Sequence, residues 1–142
     1  VDLISTVKAI FTNVKASSYV TGGSSITQQL AKNMYFSQEK KMVRKIAEMF
    51  MAYNLEKNLS KNEILELYIN NIYYGSGYYS VYSASMGYFN KKPSELTLDE
   101  ASLLAGIPNA PSIYSLDVNP TLARQRQKQV ISAMKEYNYI ND

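Results

Sequence analysis

Two residue types that carry much of protein chemistry are missing from this chain, which has no cysteine and no histidine. The first absence excludes disulfides and thiolate metal sites. The second excludes Ser-His-Asp triads, histidine-ligated zinc and imidazole acid–base chemistry within the chain. Any proton transfer by its own side chains would therefore have to use carboxylates, lysine or tyrosine.

Long hydrophobic runs are also lacking. No apolar stretch approaches the roughly 20 residues that a membrane-spanning helix needs, and no signal-peptide pattern opens the sequence. Because Val1 is not an initiator methionine, we expect the 142 residues to be a fragment of a longer protein.

The net charge of +3 is unevenly distributed. Residues 1–71 contain nine lysines and arginines against six acidic residues, whereas residues 72–142 contain six of each. The excess in the first half predicts an anionic partner there, and a phosphate-bearing ligand or an anionic membrane surface would both fit. A nucleic acid is disfavoured, because the excess is small and no nucleic-acid-binding motif is present.

Apolar residues recur at helical spacing, and no long alternating strand pattern appears, which predicts one all-α domain. Residues 60–63 and 97–100 have the spacing of capping boxes, and Asn119-Pro120 is typical of a helix start. Residues 73–79 read as a turn broken by glycines. We expect helices at about residues 3–14, 25–35, 40–57, 61–72, 81–88, 98–107 and 120–137.

The stretch GGSSITQQLAKN at residues 22–33 is a first candidate site. At 100° per residue, Ser25, Gln28, Gln29 and Lys32 share one helix face. A helix N-terminus followed by a lysine one turn later suits an oxyanion. A glycine turn before a well-capped helix with a polar outer face explains the same residues without any ligand.

A second candidate lies in the helix predicted at residues 40–57. Lys41, Arg44, Lys45 and Glu48 fall on one face, while the apolar side chains cover the opposite side. Glu48 would thus be a carboxylate at the inner end of a basic stripe. A solvated face with ordinary charge pairs is the alternative, although a cation preceding the glutamate is the less stabilising order for such pairs.

Tyrosine is abundant, with 13 residues, and six of these are crowded into residues 73–88. Tyrosine rings could stack on sugars or lie at a membrane interface. Core packing with hydroxyls reaching water is the simpler interpretation, and we favour it.

Together these stretches resemble the peptidoglycan glycosyltransferase family, found in class A penicillin-binding proteins and monofunctional transglycosylases. Residues 22–33 are similar to the family's GGSTITQQLxKN, and residues 44–56, RKIAEMFMAYNLE, to its RKxxExxxAxxLE. Residues 61–91 resemble the segment KxxILExYLNxxYxGxxxxGVxxAAxxYFGK, and residues 96–115 resemble LSxxEAALLAGLPxAPxxYxP. The four motifs occur in the family's order over nearly the whole chain.

The resemblance implies a lysozyme-like helical domain with a smaller membrane-facing lobe. It implies that the 4-hydroxyl of lipid II attacks the anomeric carbon of a glycan held on undecaprenyl diphosphate, with inversion. By match, Lys32, Lys40, Arg44 and Lys45 would hold diphosphates, and Gln28 and Gln29 would line the cleft. Glu48 matches the family's second essential glutamate, a candidate catalytic residue that would orient the leaving group or a cation, or assist the acceptor. A divalent cation such as Mg²⁺ is a further candidate component, and a transpeptidase domain is a candidate fused or associated partner.

One family motif has no counterpart here. The segment EDxxFxxHxG, which carries the glutamate taken as general base, is absent from residues 1–142. We therefore interpret these residues as an N-terminally truncated glycosyltransferase domain, inactive by itself, from the extracytoplasmic face of a bacterial membrane. Smaller departures are Ser80 and Asn90 in place of glycines, and Ser83 and Ser85 beside Ala84, where alanines are usual.

Two other functions are compatible with the same residues. The first is a noncatalytic module that binds glycan or lipid diphosphate. The second is a lysozyme-like hydrolase that uses Glu48 as a lone general acid. The basic stripe argues against a hydrolase, because the cleavage of a neutral glycan releases no diphosphate.

Overall fold

The computed structural model describes residues 25–35 and 41–141. Lys40, the helix predicted at about residues 3–14 and the glycine turn at residues 22–23 lie outside these ranges. No strand occurs among the described residues, which confirms the all-α prediction. Their α-helices are α1 (Ile26–Tyr35), α2 (Lys41–Asn58), α3 (Lys61–Asn71), α4 (Val81–Phe89), α5 (Leu98–Gly106), α6 (Pro111–Tyr114) and α7 (Pro120–Glu136).

The helix starts follow the local sequence. Reciprocal side-chain bonds close the capping boxes at Ser60 and Glu63 before α3, and at Thr97 and Glu100 before α5. The Asn119 side chain accepts a hydrogen bond from the Leu122 amide at the start of α7. Each cap satisfies backbone N–H groups that have no partner within the helix. Two 3-10 turns, Pro93–Glu95 and Ile107–Asn109, and the one-turn α6 were not predicted.

The helices pack in two neighbouring groups. Helix α1 contacts both α2 and α3, so the two stretches singled out as candidate sites lie against each other. Further along the chain, α5 packs against α7, and α4 packs between α3 and α5. The first group holds the candidate functional residues, and the second contributes most of the apolar core.

That core includes Tyr74, Ala84, Leu104 and Ile107, with Tyr78 and Tyr88 among the side chains that surround it. The Tyr88 hydroxyl donates to the Tyr74 carbonyl at 2.8 Å. Burial raises the pKa of Tyr74, as expected for a phenol far from water. Core packing is therefore confirmed for Tyr74, Tyr78 and Tyr88, and the hydroxyls of Tyr74 and Tyr88 donate to backbone carbonyls. It is wrong for Tyr79 and Tyr82, which are exposed.

The departures from the family pattern have simple structural roles. Asn90 ends α4 in the left-handed conformation, with φ of 53°, which glycine and asparagine adopt most readily. Ser80 has extended backbone and caps α4, and so needs no glycine flexibility. The buried Ser85 hydroxyl donates to the Lys91 carbonyl. Helix α4 therefore forms normally in spite of these changes.

A hydrogen-bonded group that the sequence did not reveal joins α5 to α7. The side-chain amide of the buried Gln127 donates to the Asp99 carbonyl and to the Ser102 hydroxyl, each at 2.9 Å. Arg124 donates to the Asp99 carboxylate and to the Gln127 side-chain oxygen. Buried polar groups satisfied in this way fix how two helices are docked.

We predict that Gly87→Ala destabilises the domain, although alanine is normally the better helix former by about 1 kcal/mol. A Cβ at this position would lie 2.1 Å from the Tyr78 ring. Overpacking of this kind costs about 1–3 kcal/mol, and urea unfolding would measure it. The same change in a Tyr78→Ala background should be neutral or stabilising. Equal stability of Gly87→Ala and the unmodified protein would contradict the packing described here.

We also predict that acidification weakens the cap of α5. A hydrogen bond from Lys91 to Glu100, and another from the Thr97 amide, lower the pKa of Glu100. A lowered folded-state pKa contributes stability that is complete above the unfolded value of about 4.3 and is lost as the pH falls through the folded value. Unfolding measured from pH 6 to pH 3 should therefore show a smaller loss of stability for Glu100→Gln than for the unmodified protein. Equal losses for the two proteins would refute this role of Glu100.

Candidate functional site

Helix α2 faces the domain with its polar side. Glu48 is only 2% exposed and Ala52 is buried beside it one turn later. On the opposite side of the helix, Met42 and Val43 are 77% and 72% exposed, and Phe50 is exposed as well. The burial of Glu48 agrees with the prediction that this carboxylate lies at the inner end of the basic stripe.

Two cations from the preceding turn of α2 contact the Glu48 carboxylate. Arg44 Nε lies 3.1 Å from Oε1, and Lys45 Nζ lies 3.4 Å from Oε2. The Lys45 contact has hydrogen-bond geometry. The Arg44 contact does not, and its two buried atoms have no other hydrogen-bond partner. It is therefore an ion pair held by charge attraction and close approach.

The alternative interpretation of the basic stripe, a solvated face with ordinary charge pairs, is met only in part, since the pairs are present. The stripe is not simply a solvated face, because its carboxylate is almost completely buried. Removing one partner from a buried pair typically costs about 3–5 kcal/mol, and the partial exposure of Arg44 reduces that cost here. The buried Glu48 carboxylate thus holds the positive side chains of Arg44 and Lys45 at the domain surface.

The polar face of α1 is partly occupied by local hydrogen bonds. The Ser25 amide donates to Gln28 Oε1 at 3.3 Å, and the Gln28 amide donates to Ser25 Oγ at 3.2 Å. The capping interpretation of this motif is thus confirmed, and the Gln28 side chain belongs to the cap. Whether Gln28 also lines a cleft stays a prediction.

Gln29 has a partner that the sequence did not reveal. The Tyr68 hydroxyl of α3 donates to Gln29 Oε1 at 3.3 Å, across 39 residues of sequence. Burial raises the pKa of Tyr68, so the hydroxyl keeps its proton and stays a donor. Tyr68 therefore positions one of the two predicted cleft glutamines.

The structure brings together Arg44, Lys45 and Glu48, and it places Lys32 on the exposed side of the adjacent α1. Within residues 25–35 and 41–141, no cluster of three His, Cys, Asp or Glu side chains is suited to hold a metal ion. No helix in the same ranges is long and apolar enough to cross a bilayer.

Comparison with known proteins identifies the family of this chain. Residues 1–135 match the family model described as transglycosylase. The chain belongs to the transglycosylase family. It is 48% identical over 140 residues to penicillin-binding protein 1A of Neisseria gonorrhoeae, covering 99% of this chain and 18% of that protein. It is 40% identical to penicillin-binding protein 1F of Bacillus subtilis, covering 99% of this chain and 20% of that protein. The chain thus spans about a fifth of the length of these relatives.

The family match confirms the resemblance inferred from the four motifs. It assigns no role to a single side chain, so the roles of the site residues stay predictions. Among the residues that this transglycosylase chain contributes to the site, Tyr68 was missed because no local signal links it to α1. The one sequence signal that could have pointed to Tyr68 was its position within residues 61–91, which resemble a segment of the family.

We predict that Tyr68→Phe lowers the free energy of unfolding by about 0.5–1.5 kcal/mol, the usual net value of one hydrogen bond. Packing of the ring would be retained, so the loss reports the bond to Gln29. Tyr79→Phe, at a tyrosine that is 65% exposed, serves as the matched control and should change stability less. Equal effects of the two substitutions in urea unfolding would remove the support for this contact.

Proposed function

We propose that the protein to which this chain belongs is a peptidoglycan glycosyltransferase. It polymerises lipid II into glycan strands and releases undecaprenyl diphosphate. The observation that carries the proposal is the pair Arg44 and Lys45, held by a buried carboxylate in a family whose name denotes glycosyl transfer.

The pair fits the chemistry of the leaving group. As the glycosidic bond to the diphosphate breaks, negative charge develops on the departing oxygen. Cationic groups fixed in place before the reaction stabilise such charge without reorganising. In this proposal Arg44 and Lys45 contact the diphosphate together with Lys32 and Lys40, and Gln28 and Gln29 line the cleft. The proton of the attacking 4-hydroxyl passes to a general base that we do not place among residues 1–142.

A lysozyme-like hydrolase receives less support from the same geometry. A general acid must present a protonated oxygen to the glycosidic bond, whereas both Glu48 oxygens face cations. The same two contacts make Glu48 a poor ligand for Mg²⁺, since the metal would have to displace Arg44 and Lys45. Mg²⁺ therefore has no step in the proposed reaction and stays a prediction from the family resemblance.

The outward side of α2 suits a membrane surface. Met42, Val43, Ile46 and Phe50 are exposed there, and amphipathic helices bind bilayers through such apolar faces beside basic residues. A lipid-linked substrate would be taken from the same surface. We propose the extracytoplasmic face of a bacterial membrane as the location. The penicillin-binding names and greater length of the relatives support a transpeptidase domain in the same protein.

We predict that Arg44→Ala weakens binding of a moenomycin-type phosphoglycolipid by about tenfold to a hundredfold, the value of one or more charge-assisted hydrogen bonds. Lys128→Ala, on the exposed side of α7, is the matched loss of one positive charge. In a fluorescence titration with the same phosphoglycolipid, this substitution should have little effect on affinity. Added salt should weaken binding by the unmodified protein. Equal affinities of the two variants would exclude the proposed phosphate site.

The proposed function itself is tested by incubating the intact protein with lipid II and resolving the products by electrophoresis. We expect glycan strands from the intact protein and none from the 142-residue polypeptide, because a general base typically contributes about 10²–10⁴-fold. Binding of lipid II by the intact protein without polymerisation would favour the noncatalytic module. Strands from the polypeptide alone would show that it contains a base of its own.

A further inference from the structure

We infer that Tyr79 is a sugar-binding residue, whose ring packs against a pyranose ring of the glycan strand beside the candidate site. The inference rests on the proposed function, since that function supplies a glycan strand as the ligand. The family resemblance does not supply this role, because Tyr79 falls at a position that the segment KxxILExYLNxxYxGxxxxGVxxAAxxYFGK leaves unspecified.

The ring of Tyr79 is presented to water on a support. The residue is 65% exposed, which is not unusual for a single tyrosine. Its ring, however, lies against that of the half-buried Tyr73, with centroids 4.6 Å apart and planes tilted by 30°. Tyr73 therefore covers one side of the Tyr79 ring, and the exposed part lies on the side away from Tyr73.

The loop between the two rings has an unusual backbone. The Gly77 amide donates to the Tyr73 hydroxyl at 3.2 Å, which ties the supporting ring to the loop. Gly75, Ser76 and Gly77 have φ of 76°, 51° and 83°, and left-handed backbone is rare for a residue with a side chain, such as Ser76. Residues in such conformations persist only where the surrounding structure holds them.

A buried serine holds this loop. Ser115 is 1% exposed, and its hydroxyl lies 2.7 Å from the Ser76 hydroxyl and 2.9 Å from the Tyr88 hydroxyl. A Cβ on Gly75 would lie 2.8 Å from the Ser115 Cβ, so the close approach requires glycine. The loop that carries Tyr79 is thus anchored in the core, and backbone strain held in this way is found mostly at functional sites.

A sugar ring suits a tyrosine presented in this way. The C–H groups on one face of a pyranose pack against the electron-rich face of an aromatic ring, and the phenol hydroxyl can exchange a hydrogen bond with a sugar hydroxyl. A side chain that is fixed before binding loses little conformational freedom when the ligand arrives. Tyr82, which is 54% exposed in the first turn of α4, offers a second ring nearby in the chain.

The tyrosine pair follows directly on the helix that contacts the candidate site. Helix α3 carries Tyr68, whose hydroxyl donates to Gln29 of α1, and it ends at Asn71, just before Tyr73. The chain from Tyr68 to Tyr73 spans at most about 18 Å, a distance covered by a few sugar rings. Tyr79 is therefore placed to hold sugars that adjoin those in the cleft.

The test is an NMR titration of the intact protein with a soluble chitin tetrasaccharide. This probe has amino-sugar rings but neither phosphate nor lipid, so its binding does not depend on a phosphate site. We expect Tyr79→Ala to raise Kd about threefold to tenfold. Tyr79→Phe, which keeps the ring, should raise Kd less than about twofold. Tyr139→Ala, at a tyrosine that is 79% exposed after α7, is the matched control and should leave Kd unchanged.

Two further measurements separate sugar binding from other roles of an exposed ring. With lipid II as substrate, Tyr79→Ala should produce shorter glycan strands than the unmodified protein, because a strand held less firmly leaves the enzyme sooner. In co-sedimentation with phosphatidylglycerol vesicles, Tyr79→Ala should bind as well as the unmodified protein, since the ring contacts sugar and not lipid.

Equal Kd values of Tyr79→Ala and Tyr139→Ala, or no binding of the tetrasaccharide by the unmodified protein, would overturn the sugar site. Loss of vesicle binding at unchanged Kd would overturn it as well and make Tyr79 a membrane contact. If Tyr79→Ala fails to fold, Tyr79→Leu decides in the same titration, because leucine is apolar but has no ring and should also raise Kd. Failure of the unmodified protein to polymerise lipid II would instead refute the proposed function, whereas the tetrasaccharide titration reports on Tyr79 independently.

Discussion

The burial of one carboxylate constrains which face α2 turns inward. Glu48 can be almost fully removed from water because two cations from its own helix accompany it. An isolated buried charge would be far too costly, so Arg44, Lys45 and Glu48 stay together as a unit on one face of α2. Once that face points inward, the cations lie at the edge of the domain, next to the helix that carries Lys32.

The same constraint determines what the other side of α2 exposes. A helix that turns its polar face inward must turn its apolar face outward, and Met42, Val43 and Phe50 are exposed for this reason. Such a surface is costly in water and suits a lipid environment. In the proposed function, the inner face of α2 would bind phosphate and its apolar outer face would contact the membrane that holds the lipid diphosphate.

Local signals made most of the fold predictable. The caps at Ser60, Thr97 and Asn119 depend on side chains within three residues of each other, so the helix starts could be read directly from the sequence. The one-turn α6 is too short to show periodicity. The orientation of α2 was predictable only in part: the pattern indicated that Glu48 lies at the inner end of the basic stripe, but periodicity separates two faces without saying which is buried. The contact between Tyr68 and Gln29 spans 39 residues, and no local pattern reports it.

The most direct test of the account is a crystal structure of the intact protein with a bound phosphoglycolipid. We expect phosphate oxygens at about 2.7–2.9 Å from the terminal nitrogens of Arg44, a usual charge-assisted distance. Nε of Arg44 and Nζ of Lys45 should still contact Glu48. A phosphate bound away from Arg44 and Lys45 would contradict it.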